Sequence, residues 1–373
     1  MRFFNKDTIF VALVLLVSAG LFMSGDPREP GEVTVLARIV NIVDNTETKG
    51  AYLKVGGQEV TARILKGPYK GQSISTDNGL VGNLMLDRFV EVGDRAVFIL
   101  NVEEGRIIDA ELVDYDRQSW HLAVFILFAV LLILFARYTG VRAFASFIFT
   151  VSVIVRLLIP AILKGYDPLL LCVFMAILVA SVTLLLVGGF SIRTTAAIIS
   201  VTFSMVLTAL LVVMGGKGIR LDGMTCEHSL ILLFSGYPYL NLDRVFWGAV
   251  ILGASGAMVD VAIAVSTAVE QVVKANPGLG MVRLIRSGFE VGRAALGTMV
   301  TTLLLAYAGS GLFLFLVFNA RETHLARILN YNFVSAEIFR TLAGSIGMVM
   351  VAPISAVIAG VLYHRIHGIE RLS

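Results

Sequence analysis

Charge is scarce in this chain. Asp, Glu, Lys and Arg make up 15 % of 373 residues, against about 25 % in soluble domains. Cysteine is nearly missing as well: Cys172 and Cys226 are the whole complement. The first lies in an apolar run and the second in a polar connection, which argues against a disulfide between them. No Walker A sequence and no HExxH occurs, so the chain carries neither an ATP motor nor a zinc-protease signature of its own. The GASG at Gly253–Gly256 is too short to be a nucleophile elbow. Cys226, Glu227 and His228 are metal-capable, but adjacent residues rarely converge on one ion and no zinc spacing surrounds them. The net charge is +3, and the basic residues sit singly between apolar runs. That pattern lacks the basic stripe of a nucleic-acid binder. The expectation is a protein that is not an enzyme, with no cofactor, no metal and no nucleic-acid partner.

What the chain has instead is apolar length. Hydrophobic residues make up 57 % and the mean hydropathy is +0.84, the composition of an integral membrane protein. A bilayer-spanning helix needs about 20 apolar residues. A first run at 9–23 follows Arg2 and Lys6 and reads as an uncleaved span or signal anchor over 1–25, with a cleaved signal peptide as the alternative. Further runs fall near 120–136, 143–163, 168–187, 193–214, 244–268, 293–318 and 338–362, for eight spans in all. Trp120, Tyr138, Trp247 and Tyr363 lie near the expected interfaces. Arg137, Arg142, Arg193, Lys274, Arg283, Arg286 and Arg293 fall on one side, which sets both termini in the cytoplasm of a bacterial cell with the spans in its inner membrane.

Residues 26–117 differ in kind. Stretches such as EVTVLARIVN, QEVTARIL and RAVFILNV alternate with period two and are separated by Gly, Asn and Asp turns. This predicts a small all-β domain, barrel or sandwich, and an oligonucleotide-fold-like barrel is one form of it. The expected architecture is an all-α membrane bundle over 118–373 plus this extracytoplasmic β domain. Met281, Leu284, Ile285 and Phe289 recur at helical spacing, which predicts an amphipathic cytoplasmic helix near 279–291. The connection 215–243 is long enough for a re-entrant segment.

Asp260 is the residue with most to say. It is a lone acid within the run Val245–Thr267, where a carboxylate costs about 2.5–3.5 kcal/mol on insertion scales. It reads as an ion- or proton-handling site, or alternatively as a structural carboxylate bonded to a neighbouring helix. Arg156, in VSVIVRLLIP, either pairs with it or reaches towards the headgroups. Thr298, Thr301 and Thr302 share nearly one helix face and suit a hydroxyl path beside an acid; helix packing explains the same pattern. Glu337 and Arg340 are three apart and form a pair, as a gate or an anchor. Gly253, Gly256, Gly297, Gly344 and Gly347 are small enough for close helix approach.

GASGAMVDVAIAVSTAVEQV, SGFEVGRAALGTMVTTLLLAYAGS and EIFRTLAGSIGMVMVAPISA, with ILKGPYKGQ in the β domain, resemble the YibE/F family of multi-pass bacterial membrane proteins. The resemblance implies a first span, an extracytoplasmic β domain and a polytopic bundle, and it supplies no substrate. A more distant likeness is to the membrane half-repeats of resistance-nodulation-division transporters and the Sec accessory pair. It rests on Gly256, Val259, Asp260, Ala262 and Ile263, followed by Thr301, Thr302 and Leu303. In those transporters the intramembrane Asp serves a proton relay, a role carried over here to Asp260 alone. The missing second half implies a homodimer. The function expected is a proton- or cation-coupled secondary transporter or transport accessory for an unidentified ion or small molecule. The other reading is a membrane scaffold, sensor or assembly factor whose outer domain binds a ligand or partner.

Overall fold

A computed structural model describes residues 6–23, 32–49, 53–83, 87–103, 105–225, 227–321 and 324–370. It divides into two compact units, residues 25–131 and residues 1–24 with 132–373.

Among the described residues the first unit is an antiparallel sheet of six strands: β1 (Glu32–Asp44), β2 (Glu47–Lys49), β3 (Leu53–Ile64), β4 (Ser73–Val81), β5 (Arg95–Glu103) and β6 (Arg106–Tyr115). The order is β2-β3-β1-β5-β6, with β4 on β3, and β4 also comes against β6. The path β4-β3-β1-β5-β6 thus curls back on itself, as in an oligonucleotide-fold-like barrel. Period-two alternation puts Val35, Ala37 and Ile39, Val60, Ala62 and Ile64, and Ala96, Phe98 and Leu100 on the buried face. Two buried amides fasten the segment before β5. Gln58 accepts the Val90 amide at 3.1 Å and donates to the Val90 carbonyl at 3.1 Å. Asn78 donates to Gln58 Oε1 at 3.1 Å and to the Arg88 carbonyl at 2.7 Å. Asp114 holds Arg88 at 2.9 Å and Arg117 at 2.8 Å. Burial alone would raise its carboxyl, but the Tyr115 amide and the two guanidinium groups outweigh it and hold Asp114 below the usual carboxylate range.

The second unit is helical. Among the described residues six helices are long and apolar enough to cross a membrane, and Asp7–Leu21 is a shorter apolar helix, lying within α1 (Lys6–Met23). The expected spans 120–136 and 143–163 fall in one helical stretch, Gln118–Leu163. It comprises α2 (Gln118–Val153), a π turn (Ile154–Leu158) and α3 (Ile159–Leu163). The backbone leaves helical geometry at Arg137, with φ 50° and ψ −126°. A Cβ on Gly140 would strike the Leu132 carbonyl. Glycine is therefore required where the helix bends this sharply. The break falls between the two runs that the hydropathy separates.

Asp167 caps α4 (Pro168–Gly188), accepting from the Leu170 amide, and Pro168 occupies the first turn. Ser191 caps α5 (Ile192–Ile219), and Asn241 caps α7 (Leu242–Ala275). Between them the connection holds α6 (Glu227–Phe234). Helices α5, α7 and α11 (Asn332–Glu370) pack on one another, with α4 against α5 and α7 and α8 (Met281–Ser310) against α7 and α11. Their shared core is rich in small residues: Ala176, Ala180, Ala197, Ala254, Ala262, Ala352 and Ala356. In a membrane, such residues let backbones approach and gain dispersion contacts that lipid cannot supply.

The expected amphipathic helix near 279–291 is the opening of α8 and runs without interruption into the span. Leu284 is buried with Val269, Ala359 and Tyr363, so this stretch packs on the bundle. The expected span 293–318 divides at Gly311 into α8 and α9 (Leu312–Ala320), and α10 (Leu325–Asn330) leads into α11.

Candidate functional site

Asp260 sits deep along α7. At 1.5 Å per residue it is about 15 Å along the helix from Glu270 and about 24 Å from Arg244. Each of these flanking charges is paired. Glu270 takes Arg193 at 3.3 Å and Lys274 at 3.2 Å, and Arg244 takes Asp167 at 2.7 Å. Asp7 and Arg142 form a further pair at 2.7 Å. Asp260 itself is exposed and makes no hydrogen bond or ion pair among the described residues. The structure therefore does not join it to Arg156, which lies in the π turn, an element that packs against α4.

The surface around Asp260 is a stripe of small residues. Ala249, Gly253, Gly256 and Asp260 are all exposed, at spacings of four, three and four that keep them on one helix face. Helix α8 runs antiparallel beside it. Gly288 faces Val269 and Ala356, Gly292 faces Val265 and Ala352, and Gly253 faces the Tyr307 hydroxyl. Asp260 lies between these contacts, at about the depth of the Gly297–Thr302 segment. The hydroxyls there do not reach it. Thr298 donates to the Ala295 carbonyl at 3.2 Å and Thr302 to the Thr298 carbonyl at 3.1 Å. Thr298, Thr301 and Thr302 are exposed, so they belong to the same open surface as the acid without bonding to it.

The glycines divide into two groups. A Cβ on Gly347 would collide with Met258 and Thr208, and one on Gly344 would come within 3.3 Å of Ala254. A Cβ on Gly253 would come within 3.1 Å of the Tyr307 hydroxyl. Gly256 and Gly297 meet nothing within 4 Å, so against the expectation of close helix approach they make no such contact within the chain. Glu337 and Arg340 do pair, at 2.9 Å along α11, and the guanidinium lies 5.5 Å from the Phe246 ring centre. Cys172 is buried and free. Cys226 lies outside the described residues, and no group of three metal-capable side chains occurs among those described.

A polar feature that the sequence reading missed runs through the bundle core. Thr194, Ser200, Ser204, Thr208, Ser266 and Ser355 are all fully buried. Ser200, Ser204 and Thr208 each donate to the carbonyl four residues back. Their spacing of four was the available signal, one stripe along α5. The Ser266 and Ser355 hydroxyls find no hydrogen-bond partner among the described residues.

A family model described as YibE/F-like protein matches residues 124–365, more than half of the chain. The chain belongs to the YibE/F-like family. The matched region takes in the helical bundle with Asp260, Glu337 and the buried hydroxyls; the β domain and its ILKGPYKGQ fragment lie outside it. No curated protein matches the chain, and neither does any solved structure. The likeness to resistance-nodulation-division and Sec accessory transporters therefore rests on the residues quoted for it alone.

Proposed function

We propose that this YibE/F-like chain is a proton- or cation-coupled secondary transporter, or an accessory of one, in which Asp260 carries the ion. One observation supports the reading most: a carboxyl deep in a spanning helix, on an exposed small-residue face, with no hydrogen-bond or ion-pair partner among the described residues. A structural acid would be bonded to a neighbouring helix. An acid that takes up and releases a proton or cation needs access to one. Thr298, Thr301 and Thr302 lend polarity to the same surface at the same depth. The mechanism asks for no covalent chemistry.

The placement that goes with this reading is the bacterial inner membrane, with both termini in the cytoplasm and the barrel outside. The bias of Arg137, Arg142, Arg193 and Lys274 towards one side supports it. A charged carboxylate does not stay against lipid, so a second copy of the chain is proposed to cover the Ala249–Asp260 stripe and make a homodimer. Labelling with an apolar carbodiimide tests the ion-binding role. Reaction at Asp260 should fall as pH rises or as a bound cation protects it, and should vanish in Asp260→Asn. Labelling that is indifferent to pH and to every cation would contradict the proposal.

The separate compact barrel favours a second reading, in which the protein is a scaffold or sensor whose outer domain binds a ligand or partner. On that reading deletion of residues 26–117 abolishes function, while Asp260→Asn changes only stability.

A further inference from the structure

The opening of α8 presents two unlike faces. Leu284, Gly288 and Gly292 are buried, at spacings of four, and hold this stretch to the bundle. Leu284 packs with Val269 and Ala359, and Gly288 and Gly292 are closed in by Ala356 and Ala352. Spacings of three, four and three put Arg283, Arg286, Glu290 and Arg293 together on the opposite face, and all four are exposed. Arg286 lies 3.5 Å from Glu290, with both side chains largely in the open, and such a pair is worth little. Arg283 and Arg293 form no ion pair among the described residues. Three cations thus stand against one anion over about 15 Å of helix.

The flanks of this face are not those of a surface turned wholly to water. Met281, Val282 and Val291 are exposed beside the arginines, Val282 by 75 %. Beyond Arg293 the helix carries no Asp, Glu, Lys or Arg as far as Ser310, so the arginines end where the apolar length of the span begins. Guanidinium groups beside exposed apolar side chains suit the headgroup layer of a membrane, where the stem lies against acyl chain and the charge meets phosphate. The planar guanidinium also matches phosphate oxygens with paired donors. We infer that this face of α8 docks the headgroup of an anionic phospholipid, its phosphate held among Arg283, Arg286 and Arg293. A zwitterionic lipid brings its own cation to a face where cations are already in excess, so it is the weaker occupant. Because Leu284, Gly288 and Gly292 fix the helix beforehand, little ordering is needed on binding. This assignment is independent of the ion-carrying role of Asp260.

The test is native mass spectrometry of the purified full chain in detergent, titrated with phosphatidylglycerol or with phosphatidylcholine of the same acyl chains. The wild-type chain should bind phosphatidylglycerol about tenfold or more tightly than phosphatidylcholine, since each basic residue at a membrane surface is worth about fivefold towards an anionic headgroup. The triple variant Arg283→Gln, Arg286→Gln and Arg293→Gln should lose that preference. A control with the same loss of charge at the opposite end of the bundle, Lys164→Gln, Lys217→Gln and Arg220→Gln, should keep it. Should the triple variant fail to fold, Arg283→Gln and Arg293→Gln taken singly should each weaken phosphatidylglycerol severalfold. Millimolar glycerol phosphate should leave the bound lipid in place, because the acyl chains hold it as well. Equal binding of the two lipids by the wild-type chain, a preference that survives in the triple variant or in both single variants, an equal loss in the control, or displacement by glycerol phosphate would each overturn the proposal.

Discussion

Asp260 and Asp114 show two opposite fates of a carboxylate. Asp114 is held by Arg88, Arg117 and the Tyr115 amide, so its charge stabilises the barrel. Its folded pKa lies below the unfolded value of about 3.9. Its contribution is therefore complete above that value and is lost as pH falls through the folded pKa. Barrel stability followed by hydrogen exchange should drop on acidification below about pH 4. Asp114→Asn should flatten that dependence; an unchanged acid profile would show that the contacts are idle. Gln58 answers for a different kind of order. Gln58→Ala removes both bonds to Val90 and one to Asn78, leaving buried polar groups unpaired at about 1–3 kcal/mol. Faster exchange of the Val90 amide is the expected readout, and protection equal to wild type would refute it. Asp260 has no such partners, and this contrast is the basis for reading it as a site.

At the scale of elements, the strands were legible and the facing of the helices was not. Alternation in RAVFILNV places Ala96, Phe98 and Leu100 inside, because one side of a sheet meets water and the other does not. A membrane helix offers no such contrast, since lipid and protein core are equally apolar. That is why the exposed hydroxyls of Thr298, Thr301 and Thr302 stood out in the sequence while the buried ones on α5 did not. Gly347, whose Cβ would meet Met258 and Thr208, makes a strong prediction. Gly347→Val drives a side chain into Met258 and Thr208 at the junction of α5, α7 and α11. Overpacking of this kind costs about 1–3 kcal/mol. Thermal melting in detergent should fall by several degrees, whereas Gly256→Val, which meets nothing within 4 Å, should melt like wild type in the monomer.

At the scale of the whole molecule, composition alone identified a membrane protein, and the helical bundle carries the family match. The runs expected at 120–136 and 143–163 lie in one apolar stretch, Gln118–Leu163, whose backbone breaks at Arg137, between them. Gly311 ends α8 inside an apolar run that hydropathy treats as continuous. The exposed stripe through Asp260 belongs to this scale too. If a second copy covers it, Gly256→Val should shift the purified protein from dimer to monomer in light scattering without altering its fold, and a chain that is monomeric before the substitution would remove the homodimer from the account. The central claim is ion coupling through Asp260, and proton flux tests it most directly. Sealed vesicles carrying the purified chain should dissipate an imposed pH gradient, with Asp260→Asn folded but silent and Asp260→Glu partly active. Flux that persists unchanged in Asp260→Asn would contradict the account.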